Sequence, residues 1–117
     1  MARSLQFGLR LRAVRKERGL TQEELAEMID RSVDAVSNME RGLSLPGSNT
    51  LVRLSEQLAL PVEILAGWIN EQRRPDQERV VLEARLTALT SLLDTRHLRL
   101  AIEQVRVLTD FFERSDS

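Results

Sequence analysis

The chain has 117 residues, enough for one or two small domains, and its 42 % hydrophobic and 30 % charged residues exclude a disordered tail. Aromatic residues make up only 3 %, so any core is aliphatic, and the lack of cysteine excludes disulfides and thiolate metal sites and fits a reducing compartment. The net charge of −1 argues against a nucleic-acid partner only on average, because residues 1–20 carry Arg3, Arg10, Arg12, Arg15, Lys16 and Arg18 against Glu17 alone.

No long apolar run occurs in Met1 to Gly8, so no signal peptide is expected, and no apolar stretch is long enough to span a bilayer. The expected location is cytoplasmic, at the nucleoid, with no membrane partner. A first helix is predicted over about Leu5 to Arg18, where Phe7, Leu11 and Val14 form one apolar stripe. Gly19 supplies the left-handed residue that closes it. Thr21 opens a second helix with Glu24 three residues on, which is the capping-box pattern. Leu25, Ala26 and Ile29 form its buried side. Asp30 and Arg31 make a turn, and Ser32 caps a third helix running from Val33 to Arg41, with Val36 and Met39 inward and Gly42 as terminator.

Pro46 and Gly47 mark a loop, followed by a fourth helix from about Asn49 to Leu58 with Leu51, Leu54 and Leu58 as its stripe. A short fifth helix starts at Pro61 and reaches about Trp68, with Ile64 and Leu65 closing the core. Residues 70–74 read as a polar linker. Pro75 with Asp76 and Glu78 then reads as a helix start. Leu82, Leu86, Leu89 and Leu93 repeat at spacings of four, three and four, and Leu98, Ala101, Val105, Leu108 and Phe112 continue heptad-like after a break or cap at Asp94 and Thr95. Neither stretch is long, so a helical hairpin is expected rather than an extended coiled coil. The fold class is therefore all-α: five helices in a domain over residues 1–69, then a two-helix segment over residues 75–117.

Two short helices joined by a tight turn, Leu20 to Gly42, form a helix-turn-helix. Arg15, Gly19, Leu20, Thr21, Gln22, Glu24, Leu25, Ala26, Ile29, Ser32, Val36, Ser37, Glu40, Arg41, Gly42, Pro46, Thr50, Leu51 and Leu54 all fit one pattern. On these residues the chain resembles the lambda-repressor-like helix-turn-helix domains of the Cro/C1, or Xre, group over residues 7–65. The resemblance implies operator binding as a dimer on double-stranded DNA, with the third helix in the major groove. It puts Val33, Asp34, Ser37 and Asn38 at base edges, where Asn38 would pair with adenine, Val33 would pack on a thymine methyl and Asp34 would accept from cytosine. Gln22, Arg31, Ser32 and Arg41 would contact phosphates. Arg15 and Glu40 would pair across helices 1 and 3 as scaffold.

Three features depart from the family pattern. Asp30 stands where glycine usually makes the turn. Gly47 and Ser48 lack the usual side-chain cap. Helix 3 has no lysine or arginine before Arg41, so electrostatic affinity must come from elsewhere, such as Arg10, Lys16 or the loop after Gly42.

One small helical domain grips few base pairs, so two copies are expected to read half-sites about 34 Å apart. Leu82, Leu86, Leu89, Leu93, Leu98, Val105, Leu108 and Phe112 are the expected dimerisation residues, in a four-helix arrangement. Leu100, Val107 and Phe111 form a second apolar side. An enzyme is not expected: His97 is the only histidine, and there is no phosphate loop or zinc motif. No cofactor, metal or small-molecule ligand is indicated. The alternative is a protein-interaction module or an antitoxin that binds a partner protein through the C-terminal helices.

Overall fold

The computed structural model describes residues 2–71 and 76–116, with side chains from Leu5 to Glu71 and from Asp76 to Arg114. Pro75 and most of the expected linker lie outside the described residues, as does the side chain of Arg3. Among the described residues seven helices follow in order: α1 (Ala2–Glu17), α2 (Gln22–Met28), α3 (Val33–Glu40), α4 (Ser48–Leu58), α5 (Val62–Asn70), α6 (Gln77–Thr90) and α7 (Thr95–Asp116). No strand occurs among the described residues.

Local chemistry sets the helix ends. Gly19 and Gly42 sit at φ 69° and 78°, closing α1 and α3. Thr21 caps α2 through its hydroxyl, which accepts from Glu24 N–H at 3.0 Å, while Glu24 Oε1 accepts from Thr21 N–H at 2.9 Å. Two orphan donors of the helix start are thereby satisfied. Ser32 accepts from Ala35 N–H at 3.0 Å and starts α3. Gly47 begins α4 without a side-chain cap. Asp94 caps α7 by accepting from His97 N–H at 2.8 Å.

Phe7, Leu11 and Val14 are fully buried, as are Leu25, Ile29, Val36, Leu54, Leu58 and Leu65. Ala26 and Met39 join them in the same core. Ile64, expected inside, is 37 % exposed. Trp68 and Ile69, a little over one turn further along α5, pack against the core instead.

The leucine-rich segment divides. α6 lies against α1, with Val80, Ala84 and Ala88 buried; Ala84 and Ala88 belong to the main core. These residues recur every four positions on a side where two alanines let the helices approach closely. Leu82, Leu86, Leu89 and Leu93 face away and stay 38–52 % exposed. Two polar links reinforce the docking. Arg18 donates to the carbonyls of Leu58 (2.7 Å) and Ala88 (2.6 Å) and to Ser91 Oγ (2.9 Å), tying the ends of α4 and α6 together. Burial lowers the Arg18 pKa, partly offset by Glu17. Arg85 of α6 meets Glu17 of α1 at 2.6 Å.

α7 is different. From Thr95 to Arg114 only Ala101 is even half-buried. The radius of gyration is 15.6 Å, against about 13 Å for a compact domain of this size. The protruding α7 accounts for the excess.

Candidate nucleic-acid interface

α3 presents its outer side because its inner side is fixed by apolar and ionic contacts together. Val36 and Met39 enter the core. Glu40 is also buried, and Arg15 grips it at both oxygens, Nε to Oε2 at 2.7 Å and NH2 to Oε1 at 3.0 Å. The remaining Arg15 nitrogen donates to the Leu20 carbonyl at 2.8 Å. A buried carboxylate is tolerable only with such full pairing. The network joins α1, the start of α2 and the end of α3, so the tilt of α3 is set by geometry rather than by greasy contact alone.

Gly8 fixes the distance between α1 and α3. A Cβ there would stand 2.5 Å from the carbonyl oxygens of both Met39 and Glu40. Only a residue without a side chain lets α1 lie this close to the last turn of α3.

On the outer side Val33 (37 % exposed) and Asp34 are exposed, and Ser37 and Asn38 are half-buried. The four share one side of a helix whose partners are α1 and α2. The Ser32 hydroxyl is committed to the Ala35 N–H, so it serves as a cap. Arg31 is exposed, but its Nε donates to Thr50 Oγ1 at 3.0 Å and its NH1 to the Asp30 carbonyl, which leans the guanidinium toward the start of α4. Asp30 adopts the left-handed conformation at φ 55° that glycine usually supplies in this turn.

Gln22 stands half-buried at the start of α2, and its amide donates to Glu40 Oε1 at 3.0 Å. A carboxamide nitrogen carries two donors, so one N–H remains for a further acceptor. Gln22, Ser37 and Arg41 line an open polar cleft of about 350 Å³ with Arg12, Arg15 and Glu40. Arg12 and Arg41 are exposed and supply positive charge to its rim. Arg12 was legible only as one of many basic residues in α1; nothing local distinguishes it from its neighbours. Arg10, expected as a surface cation, is buried instead. It pairs with Glu71 and stacks over Trp68 at 5.9 Å from the ring centroid, so it holds α5 to α1 and is lost to any phosphate.

Among the described residues no group of three or more histidine, cysteine, aspartate or glutamate side chains is arranged to hold a metal ion. No helix among them is long and apolar enough to cross a membrane.

This arrangement, two short helices joined by a tight turn with the second held outward on an ionic brace, defines a helix-turn-helix domain. Residues 11–65 match the helix-turn-helix family. HTH-type transcriptional repressor RghR of Bacillus subtilis (strain 168) is 41 % identical to this chain over 69 residues, which cover 56 % of this chain and 51 % of that repressor. The chain thus spans about half the length of that relative. No solved structure gives a significant match.

Proposed function

We propose that the protein is a sequence-specific transcriptional repressor that binds an inverted-repeat operator as a homodimer, with α3 in the major groove. The observation that carries this reading is the free outer side of α3, where Val33, Asp34, Ser37 and Asn38 stand together on a helix braced from behind by Arg15 and Glu40. In the proposed complex Asn38 reads adenine, Val33 meets a thymine methyl, and Asp34 accepts from cytosine. Gln22, Arg31, Ser32 and Arg41 hold phosphates, joined by Arg12 at the rim of the polar cleft. The dimer forms through Leu82, Leu86, Leu89, Leu93, Leu98, Val105, Leu108 and Phe112, all of which are exposed in the single chain.

Selection of genomic fragments on the purified full chain tests the reading. The expected product is an inverted repeat with half-sites about one DNA turn apart. Affinity should fall steeply as salt rises, since few base contacts leave much of the binding to phosphates. Asn38→Ala and Ser37→Ala should lose sequence preference while keeping the wild-type circular dichroism spectrum. No enriched sequence in the selection would sink the operator and favour a protein-interaction module or antitoxin working through the C-terminal helices.

A further inference from the structure

α6 and α7 line an open apolar groove of about 290 Å³, walled by Leu86 and Thr90 on one side and by Leu98, Ala101, Ile102 and Val105 on the other. The Thr90 hydroxyl donates within its own helix, to the carbonyls of Leu86 or Thr87, so the groove offers no unmet donor to a polar ligand. It suits an apolar occupant. The far half of α7 carries the opposite shape: Leu108 and Phe112, 67 % and 64 % exposed, form a ridge that continues the stripe of Leu98, Ala101 and Val105. One helix thus holds half a groove and a bare ridge.

We propose that the occupant is α7 of a second copy of this chain, laid antiparallel so that Phe112 of each copy seats over Ala101 of the other. This inference rests on the dimer reading above and specifies its geometry. Antiparallel heptads pair the two kinds of core position in alternation, and the register that sets Ala101 against Phe112 also sets Val105 against Leu108. The smallest stripe residue then meets the largest. A two-fold axis fills both grooves with both ridges, so the contact closes on itself. The amount of apolar surface points the same way. Thirteen large apolar side chains between Leu82 and Phe112 are more than a third exposed, against seven in the rest of the described chain. Exposed apolar side chains gathered in this way mark an association surface, and they are numerous enough to furnish an interface of ordinary size, about 800 Å² per partner.

The chain has no cysteine, so introduced thiols report cleanly. Positions 101 and 112 of one helix are separated by about 16 Å, at 1.5 Å per residue, far beyond the Cα spacing of about 5.5–6 Å that a disulfide needs. The double variant Ala101→Cys/Phe112→Cys should therefore give a covalent dimer on mild oxidation of the full chain, and neither single variant should. In sedimentation, Phe112→Ala should weaken self-association roughly tenfold or more, with helicity unchanged, whereas Val52→Ala on α4 should not. Cross-linking by Ala101→Cys alone would mean parallel helices and overturn the proposal. A double variant that sediments as a dimer, at a concentration high enough to offset the lost Phe112 ring, yet stays uncross-linked would overturn it while sparing the dimer reading; a wild-type monomer would end both.

Discussion

α6 and α7 look alike as sequences and behave oppositely as structures. Both carry leucine-rich stripes at heptad spacing, yet α6 docks on α1 and α7 stands in solvent. The difference lies in the residues between the leucines. α6 has Val80, Ala84 and Ala88 in a row, a narrow side of small residues that admits a neighbouring backbone. α7 has no such row: its apolar residues wrap more than half of the helix, and its one stripe alanine, Ala101, opens on the groove. Leucine periodicity therefore marks a surface to be covered, whereas small-residue periodicity marks the surface that is covered within the chain.

The strongest test of this contrast sets one acid in each helix. Ala84→Asp places an unpaired charge in the α1–α6 contact and should cost about 3 kcal/mol or more, a large share of a domain's total stability. Leu108→Asp on α7 should change unfolding in urea by less than about 0.5 kcal/mol at dilute concentration, while abolishing self-association. Equal destabilisation by the two would erase the distinction between the helices.

Ion pairs sharpen the comparison at the next level. Within the helix-turn-helix, Glu40→Ala strands Arg15 in a site where its side chain is only 10 % exposed, and should cost about 3 kcal/mol. At the α1–α6 seam, Glu17→Ala removes the partner of Arg85, whose side chain is 53 % exposed, and should cost under about 1 kcal/mol. Denaturant midpoints for both variants, read against wild type, check the ranking. Glu40→Ala should also weaken DNA binding, because the brace behind α3 is gone.

These contrasts mark how far the sequence was legible. The local rules worked: Phe7, Leu11 and Val14 are buried together, Thr21 and Glu24 form their box, and Asp94 starts α7. Each is decided within a turn or two of chain. The fates of Arg10 and Arg18 are decided by Glu71 and Trp68, and by Leu58, Ala88 and Ser91, forty or more residues away. Of the basic residues between positions 10 and 18, Arg10, Arg15 and Arg18 are used inside the molecule, leaving Arg12 and Lys16 at its surface. A charge count could not separate a strut from a phosphate contact. Likewise the orientation of α6 followed from its alanines, which a search for leucines passes over.

A smaller effect lies at the end of α4, where Ala59 adopts φ 56° and ψ 47°. Left-handed backbone disfavours any residue with a Cβ by about 1–2 kcal/mol, and glycine returns part of that gain through its extra freedom when unfolded. Ala59→Gly should therefore stabilise the protein by about 0.5–1 kcal/mol, seen as a raised thermal midpoint. Asp30→Gly should gain less, because aspartate tolerates this region better and Asp30 also lies 3.6 Å from Arg53.

The mildest effect is pH dependence, and it too has one element in each part of the molecule. The Thr21 backbone N–H, and then its hydroxyl, hold the Glu24 carboxyl below its usual range. The His97 backbone N–H, followed by its ring, does the same for Asp94. A carboxyl depressed in the folded state contributes stability that is fully present above its unfolded pKa and is lost as pH falls through the folded value. Both caps should therefore hold at neutral pH and loosen together in acid, below the ordinary carboxylate range. Amide resonances of Thr21 and His97 should titrate there. Thr21→Val, which keeps the shape but loses the hydroxyl, should move the Glu24 midpoint upward and leave that of Asp94 in place. A shift of both midpoints would mean that α2 and α7 do not melt as separate ends, and that the independence of α7 from the core is smaller than its exposure implies.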